Sequence, residues 1–285
     1  AYYGSENEWN QRFFYEHAER FYKRRGQRAM LDIMKGKIKE AEEYCRNLLE
    51  KDPNDLESLY NLAISLAHQN RLEEAIKVVD ESIKKGLPVE RYLAGPRKIL
   101  KSLTDFDGFD KYIIGKNIQL LHGPMVGRVT DRSASFWVRT FNESEVQIRA
   151  SHSSSMIKAK LSNIVKTSAD NDYTAIVTVS GFEPHTVYYY EVLIDGKLAE
   201  TDIHYFTTYP NKGSSAKYSL AFGGGAGYVP VNEYIWNTIR KHQLEAFLWM
   251  GDNVYINMPE DPNAVHDYTY YRRQSRDEFR KLVSS

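Results

Sequence analysis

The spacing of apolar residues changes twice along this chain, so no single uniform architecture can accommodate it. From about residue 7 to 103, apolar side chains recur every three or four positions and glycines are rare, which is the period of amphipathic helices. From about 121 to 209 the period becomes two. Short β-branched and aromatic runs such as Ser135-Phe-Trp-Val-Arg139, Val146-Gln-Ile-Arg149 and Tyr173-Thr-Ala-Ile-Val-Thr-Val179 are parted there by turn signals at Gly181 and Asp195-Gly196. Beyond residue 217, two apolar runs each end in a glycine-bearing turn, with helix-like spacing between them. The sequence therefore predicts a multidomain chain: an α-helical region over 1–104, an all-β region over 118–209, and the start of an α/β domain over 217–285.

The helical region repeats. Gly36-Lys-Ile-Lys-Glu-Ala41-Glu-Glu-Tyr-Cys45 aligns with Asn70-Arg-Leu-Glu-Glu-Ala75-Ile-Lys-Val-Val79, and Ala41 and Ala75 stand 34 positions apart. A helix-turn-helix period of that length, with a small residue at the crossing and Pro53 closing the first unit, resembles tetratricopeptide repeats, in roughly two units and part of a third. Tyr44, Leu48, Leu59, Leu62, Leu66 and Val79 lie at core spacing, and Cys45 on the same face reads as an inert core thiol. Such repeats offer a concave surface to a peptide or protein partner, and a spacer role within the chain is the other reading. The basic stretch Tyr22-Lys-Arg-Arg-Gly-Gln-Arg28 reads as a solvated helix end.

In the β region, Phe182-x-Pro184-x-Thr186-x-Tyr188 resembles the corner segment of fibronectin type III domains, in which a tyrosine hydroxyl bonds back to the backbone upstream. The prediction is a fibronectin III-like β-sandwich. Trp137, Tyr188 and Tyr190 are assigned to its core rather than to ligand stacking. His122, His152, His185 and His204 are scattered without the spacing of metal ligands.

The third region reads as strand, glycine loop, helix, strand. The strands are placed at 218–222 and 244–250, and the helix at 230–242 with Tyr234, Ile235 and Ile239 on its apolar face. A βαβ order makes the pair parallel and gathers functional groups at the strands' carboxyl ends, where both glycine turns lie. The loop from Gly223 to Gly227 lacks the Gly-Lys-Ser/Thr ending of a P-loop, and Tyr228 stands where a dinucleotide fingerprint needs its third glycine. Nucleotide binding, with Asp252 as a ribose ligand, is a competing reading. Asp252 and Tyr255 follow the second strand at a spacing that lets both face one pocket, and a carboxylate beside a phenolic oxygen is a hard ligand pair for a di- or trivalent metal. Asn253 either orients Asp252 or shapes the turn. Arg272 and Arg273 match phosphate through the guanidinium fork, and a helix face carrying its charges outward is the alternative.

Gly251-Asp252-Asn253-x-Tyr255, the glycine loop after the preceding strand and the strand Phe136-Trp-Val-Arg139 together resemble the alkaline phosphatase D (PhoD-like) metallophosphatase family, preceded here by the helical repeats. Gly224 and Gly225 stand where that family carries a Ser-Cys pair, so a thiolate ligand is missing. The resemblance implies a metal-dependent phosphoric ester hydrolase using iron, calcium, zinc or manganese, with Asp252 and Tyr255 on the metal. It places Gly225, Asn253, Arg272 and Arg273 toward a phosphate ester substrate, and the protein in an extracytoplasmic compartment. Catalytic residues proper are not identified. No Asp-His, Asn-His or His-x-His pair follows Asp252, so the chain is expected to be the N-terminal part of a longer enzyme, inactive alone. The rest of the catalytic domain would cover Leu220, Phe222, Phe247, Leu248 and Trp249. The alternative is a protein-interaction module without catalysis.

Composition narrows the remaining classes. Lys and Arg number 38 against 38 Asp and Glu, so no long-range field favours nucleic acid or a membrane surface. No apolar run approaches the roughly 18 residues that a spanning helix needs. Cys45 is the one cysteine, which rules out an intrachain disulfide.

Overall fold

The computed structural model describes residues 26–116, 118–256 and 262–285. The basic stretch from Tyr22 lies mostly outside the described residues. Two compact units form. One gathers the described residues of 1–111 with 223–233 and 249–273; the other gathers those of 112–222 with 234–248 and 274–285.

The first unit is built on helices α1 (Gln27–Met34), α2 (Ile38–Lys51), α3 (Leu56–His68), α4 (Leu72–Lys84), α5 (Glu90–Ala94) and α6 (Arg97–Thr104). Consecutive members from α1 to α4 pack on one another. Ala41 on α2 and Ala75 on α4 are fully buried, as the repeat requires of residues where helix axes come close. Leu48, Leu59, Leu62, Leu66, Val79 and Cys45 are buried with them, and burial pushes the Cys45 thiol well above its ordinary range. The centre of this unit is α3, buried from Glu57 to Ala67. Four polar residues, Glu57, Ser58, Asn61 and Ser65, are buried within it, a pattern that core packing alone does not explain. A further helix, α8 (Asn263–Gln274), buries Val265, Tyr268, Tyr271, Arg272 and Arg273.

The second unit is a sandwich of two antiparallel sheets. β1 (Leu120–Gly127), β2 (Ser133–Thr140) and β6 (Thr174–Ser180) make one in the order β1-β2-β6. β3 (Glu145–Ser151) and β7 (Val187–Ile194) centre the other, with β4 (Lys160–Leu161) and β5 (Val165–Lys166) on β3, and β8 (Lys197–Leu198) and β9 (His204–Thr207) on β7. Period-two patterning sends Phe136 and Val138 of β2 inward to Ile148, Tyr188, Tyr190 and Phe206. Trp137 does not join them. It alternates to the outer face and stays half-buried, because adjacent strand residues cannot share a face. The corner behaves as its sequence implies: the Glu183 N–H donates to Tyr188 Oη over 2.9 Å.

The same unit holds α7 (Ile235–Arg240) and α9 (Asp277–Val283). The helix expected over 230–242 is shorter, with a 3₁₀ turn at Pro230–Asn232 preceding α7. Its buried residue is Trp236, edge-on to Phe279 at 5.4 Å between ring centres, while Tyr234 and Ile235 are exposed. The indole offers the larger apolar area, so it decides which face turns inward. α9 packs on β1, with Tyr190 Oη donating to Ser284 O at 2.7 Å and Arg280 to Gly123 O at 3.0 Å.

Two short strands complete the architecture, β10 (Leu220–Gly223) and β11 (Ala246–Trp249), paired with each other. Glu245 N donates to Ser219 O and Met250 N to Gly223 O, an advancing register that makes the pair parallel. Parallel strands normally carry cover on both faces. Here Leu220, Phe222, Leu248, Trp249 and Met250 are exposed, Phe222 to 71%. No helix among the described residues is long and apolar enough to cross a membrane.

Replacing Tyr188 with Phe removes the acceptor of the Glu183 N–H while keeping the ring in the core. The expected loss is about 1–2 kcal/mol, read as a lowered urea midpoint at unchanged slope.

Candidate functional site

Backbone pairing does not stop where β10 and β11 end. Gly225 N donates to Gly251 O at 3.4 Å and Ala226 N to Asp252 O at 2.9 Å, so the two glycine turns continue the ladder side by side. Close approach explains the glycines. A Cβ at Gly224 would come to 3.0 Å from Gly251 O, and Gly225 has φ +68, a region that disfavours side chains with a Cβ. A Ser-Cys pair at these two positions would crowd the neighbouring loop and strain its own backbone.

Asp252 itself has φ +50. Aspartate tolerates the left-handed region better than most residues, but the conformation is uncommon and costs about 1 kcal/mol or more. It leaves the carboxylate exposed, where Tyr255 Oη donates to Asp252 Oδ2 at 3.1 Å. The two hard oxygen donors thus meet. Burial, together with the adjacent Asp252 carboxylate, holds the Tyr255 phenol above its ordinary range, so it carries its proton near neutrality.

Behind this pair stands Arg273. Its Nη1 donates to Ala226 O and to Asn253 O, each at 2.7 Å, and its Nε and Nη2 grip Glu233 at 3.1 and 2.9 Å. One guanidinium ties both glycine turns to a buried carboxylate. Arg272 places its guanidinium 4.4 Å from the centre of the Tyr228 ring and 5.7 Å from that of Tyr268. Neither arginine lies on a solvated face, because both are almost wholly buried. The outward-facing alternative is wrong for these two: aromatic and carbonyl groups on neighbouring segments supply what water would. Asn253 contributes its backbone carbonyl.

Of the six residues singled out from the sequence, Gly225, Asp252, Asn253, Tyr255, Arg272 and Arg273, all fall in the first unit. Asp252 and Tyr255 are in contact, and Arg273 braces the turns that carry Gly225 and Asn253. Residues that sequence reasoning passed over are Glu233, Tyr228, Glu57 and Gln27. Glu57 left a signal, since it opens a polar stripe with Asn61 and Ser65 at intervals of four in an otherwise apolar helix. As a metal site the donor set fits in kind and falls short in number. Asp252 and Tyr255 offer two convergent oxygens, but no group of three or more His, Cys, Asp or Glu gathers among the described residues.

Comparison with known proteins places parts of the chain. Residues 117–206 match a family described as a domain of unknown function (DUF7800), and residues 33–94 match the tetratricopeptide repeat family. The helical repeat is therefore tetratricopeptide-like. No curated protein matches the chain. Among solved structures, one described as the structure of PhoD is 14% identical with a TM-score of 0.49, covering 59% of this chain and 37% of that one. The chain thus spans well under half the length of that protein. The sensor domain of the anti-sigma factor RsgI4 from Pseudobacteroides cellulosolvens is 17% identical with a TM-score of 0.28, covering 34% of this chain and 98% of its own.

Replacing Arg273 with Met strands Glu233 in the interior without its charge partner. The expected cost is about 3–5 kcal/mol by chemical denaturation, and Arg273→Lys should recover only part of it, because an ammonium cannot reach both carbonyls and the carboxylate as a fork does.

Proposed function

We propose that this chain carries part of the metal-binding site of a phosphoesterase, with Asp252 and Tyr255 as metal ligands and a phosphate ester as substrate. The observation that carries the reading is the convergence of a carboxylate and a phenol, 3.1 Å apart, at the carboxyl ends of a parallel strand pair. The sequence resemblance of Gly251-Asp252-Asn253-x-Tyr255 to the alkaline phosphatase D loop supports it, and so does the uncommon backbone at Asp252. A bound di- or trivalent ion would supply Lewis-acid polarisation of a phosphoryl oxygen.

The residues of this chain have separable parts in the proposal. Asp252 supplies the permanent negative charge. Tyr255 holds a proton that it must yield to coordinate. Gly225 presents backbone without a side chain beside the Tyr255 hydroxyl, 3.7 Å from where a Cβ would sit, which leaves room for a ligand oxygen. Arg273 has its fork engaged by Glu233 and two carbonyls, which favours a role in holding the loops over direct contact with phosphate. Further donors must come from beyond the described residues, and the proposal extends to a covering segment over Phe222, Leu248 and Met250. An extracytoplasmic location belongs to the same proposal.

Two experiments test it. In the full-length protein, Asp252→Ala should lose bound metal and aryl phosphate hydrolysis together, the latter by more than about 100-fold; full turnover with stoichiometric metal in that variant would sink the assignment. The second uses the raised phenol. Because a coordinating Tyr255 releases its proton, apparent metal affinity should climb by up to about tenfold per pH unit below the phenol's pKa, and Tyr255→Phe should flatten that slope in calorimetric titrations.

A further inference from the structure

The helical repeat enters the site from within. In α3, Glu57 is 2% exposed and carries a carboxylate into the interior. Arg91 of α5 pairs with it at 3.2 Å, and Tyr268 Oη of α8 donates to it in a short hydrogen bond. Tyr228 Oη, on the segment that follows the glycine loop, reaches its other oxygen at 3.5 Å. The Arg91 guanidinium sits 4.4 Å from the Tyr60 ring centre and 5.1 Å from that of Tyr268. Burial first, and the Glu57 charge next, keep the Tyr268 phenol protonated and donating.

A second contact starts from α1. Gln27 is wholly buried, and its Nε2 donates to Tyr255 O at 2.7 Å. Beside it, a Cβ on Gly26 would fall 1.8 Å from Tyr268 Oη, so α1 begins against α8 with no room for a side chain. α8 is also the helix that carries Arg273 to the two turns.

Buried ionic and polar groups add little stability over well-packed apolar ones, but they fix direction and register. In a repeat serving only as a docking surface, there is no reason for an amide to hold the Asp252–Tyr255 loop directly, or for a buried carboxylate to hold Tyr228 and Tyr268 on the segment and helix beside it. We propose that the helical repeat is the positioning frame of the Asp252–Tyr255 loop. Gln27 holds the loop by its Tyr255 carbonyl, and Glu57 acts through Tyr228 and Tyr268 on the segment and helix that present Arg273. Both are positioning residues. The consequence for catalysis rests on the metal-site reading, whereas the frame itself is tested apart from it.

The full chain is compared with Gln27→Met, Glu57→Gln and, as a control on an exposed face of the repeat, Lys77→Ala. Amide hydrogen exchange is followed by mass spectrometry, with Mn²⁺ binding measured by calorimetry. Loss of one directional bond should speed exchange of residues 251–256 about fivefold or more in Gln27→Met, and of 226–229 as well as 251–256 in Glu57→Gln. Strands β2, β3 and β7 should exchange as in the parent, and Mn²⁺ affinity should fall about tenfold in both variants. Lys77→Ala should match the parent throughout. Wild-type exchange of 251–256 in both variants would overturn the frame, and so would acceleration spread evenly over the whole chain, since that reports general loosening. If either variant fails to fold, the other carries the measurement. A full-length protein that neither binds Mn²⁺ nor hydrolyses phosphate esters, in which 251–256 exchange still responds to Gln27→Met, would remove the phosphoesterase reading and leave the frame standing.

Discussion

A guanidinium keeps its charge at any pH a protein meets, so burying one obliges the surrounding chain to provide acceptors. Arg273 meets that demand with both oxygens of Glu233 and with the carbonyls of Ala226 and Asn253. These partners come from two stretches of sequence, 226–233 and 253. Satisfying one buried cation therefore fixes where both glycine turns lie, and with them the placement of Asp252 and Tyr255. Glu57 repeats the logic with opposite sign, drawing a guanidinium and two phenols around one carboxylate.

The glycine turns owe their course to a different constraint. Their backbones pair directly, Gly225 to Gly251 and Ala226 to Asp252, and at Gly224 the approach leaves little space for a side chain. A loop zipped this way offers backbone rather than side chains along one edge, and few side chains emerge from it. Asp252 emerges from a left-handed residue and Tyr255 three positions later. The exposed faces of β10 and β11 stand in contrast, with Phe222 and Met250 largely open to solvent although parallel strands are ordinarily sheathed.

Much of this was legible in the residues. Ala41 and Ala75 announced a repeat because helices that pack closely need small residues at a fixed period. Phe182, Pro184 and Tyr188 announced the sandwich corner because its geometry needs a hydroxyl one turn away from a particular N–H. Asp252 and Tyr255 were readable as a pair because both follow one strand end at short range. Each of these signals is local, and local spacing is what a sequence displays.

What the sequence left open was every choice that depends on distant partners. Arg272 and Arg273 read as a solvated helix face in preference to a phosphate contact, and only their packing against Tyr228, Glu233 and the loop carbonyls turned them inward. Trp137 looked like core, yet the strand alternation gave that place to Phe136. Trp236, not Tyr234 or Ile235, became the buried face of α7 because Phe279 lay opposite it. By itself, the sequence determined periods, turns and the pairing of Asp252 with Tyr255 at one strand end, since these depend on neighbours a few positions away. Only the tertiary structure decided which polar side chains are buried and what they hold, since a charge enters the interior only where chain from elsewhere brings its partner.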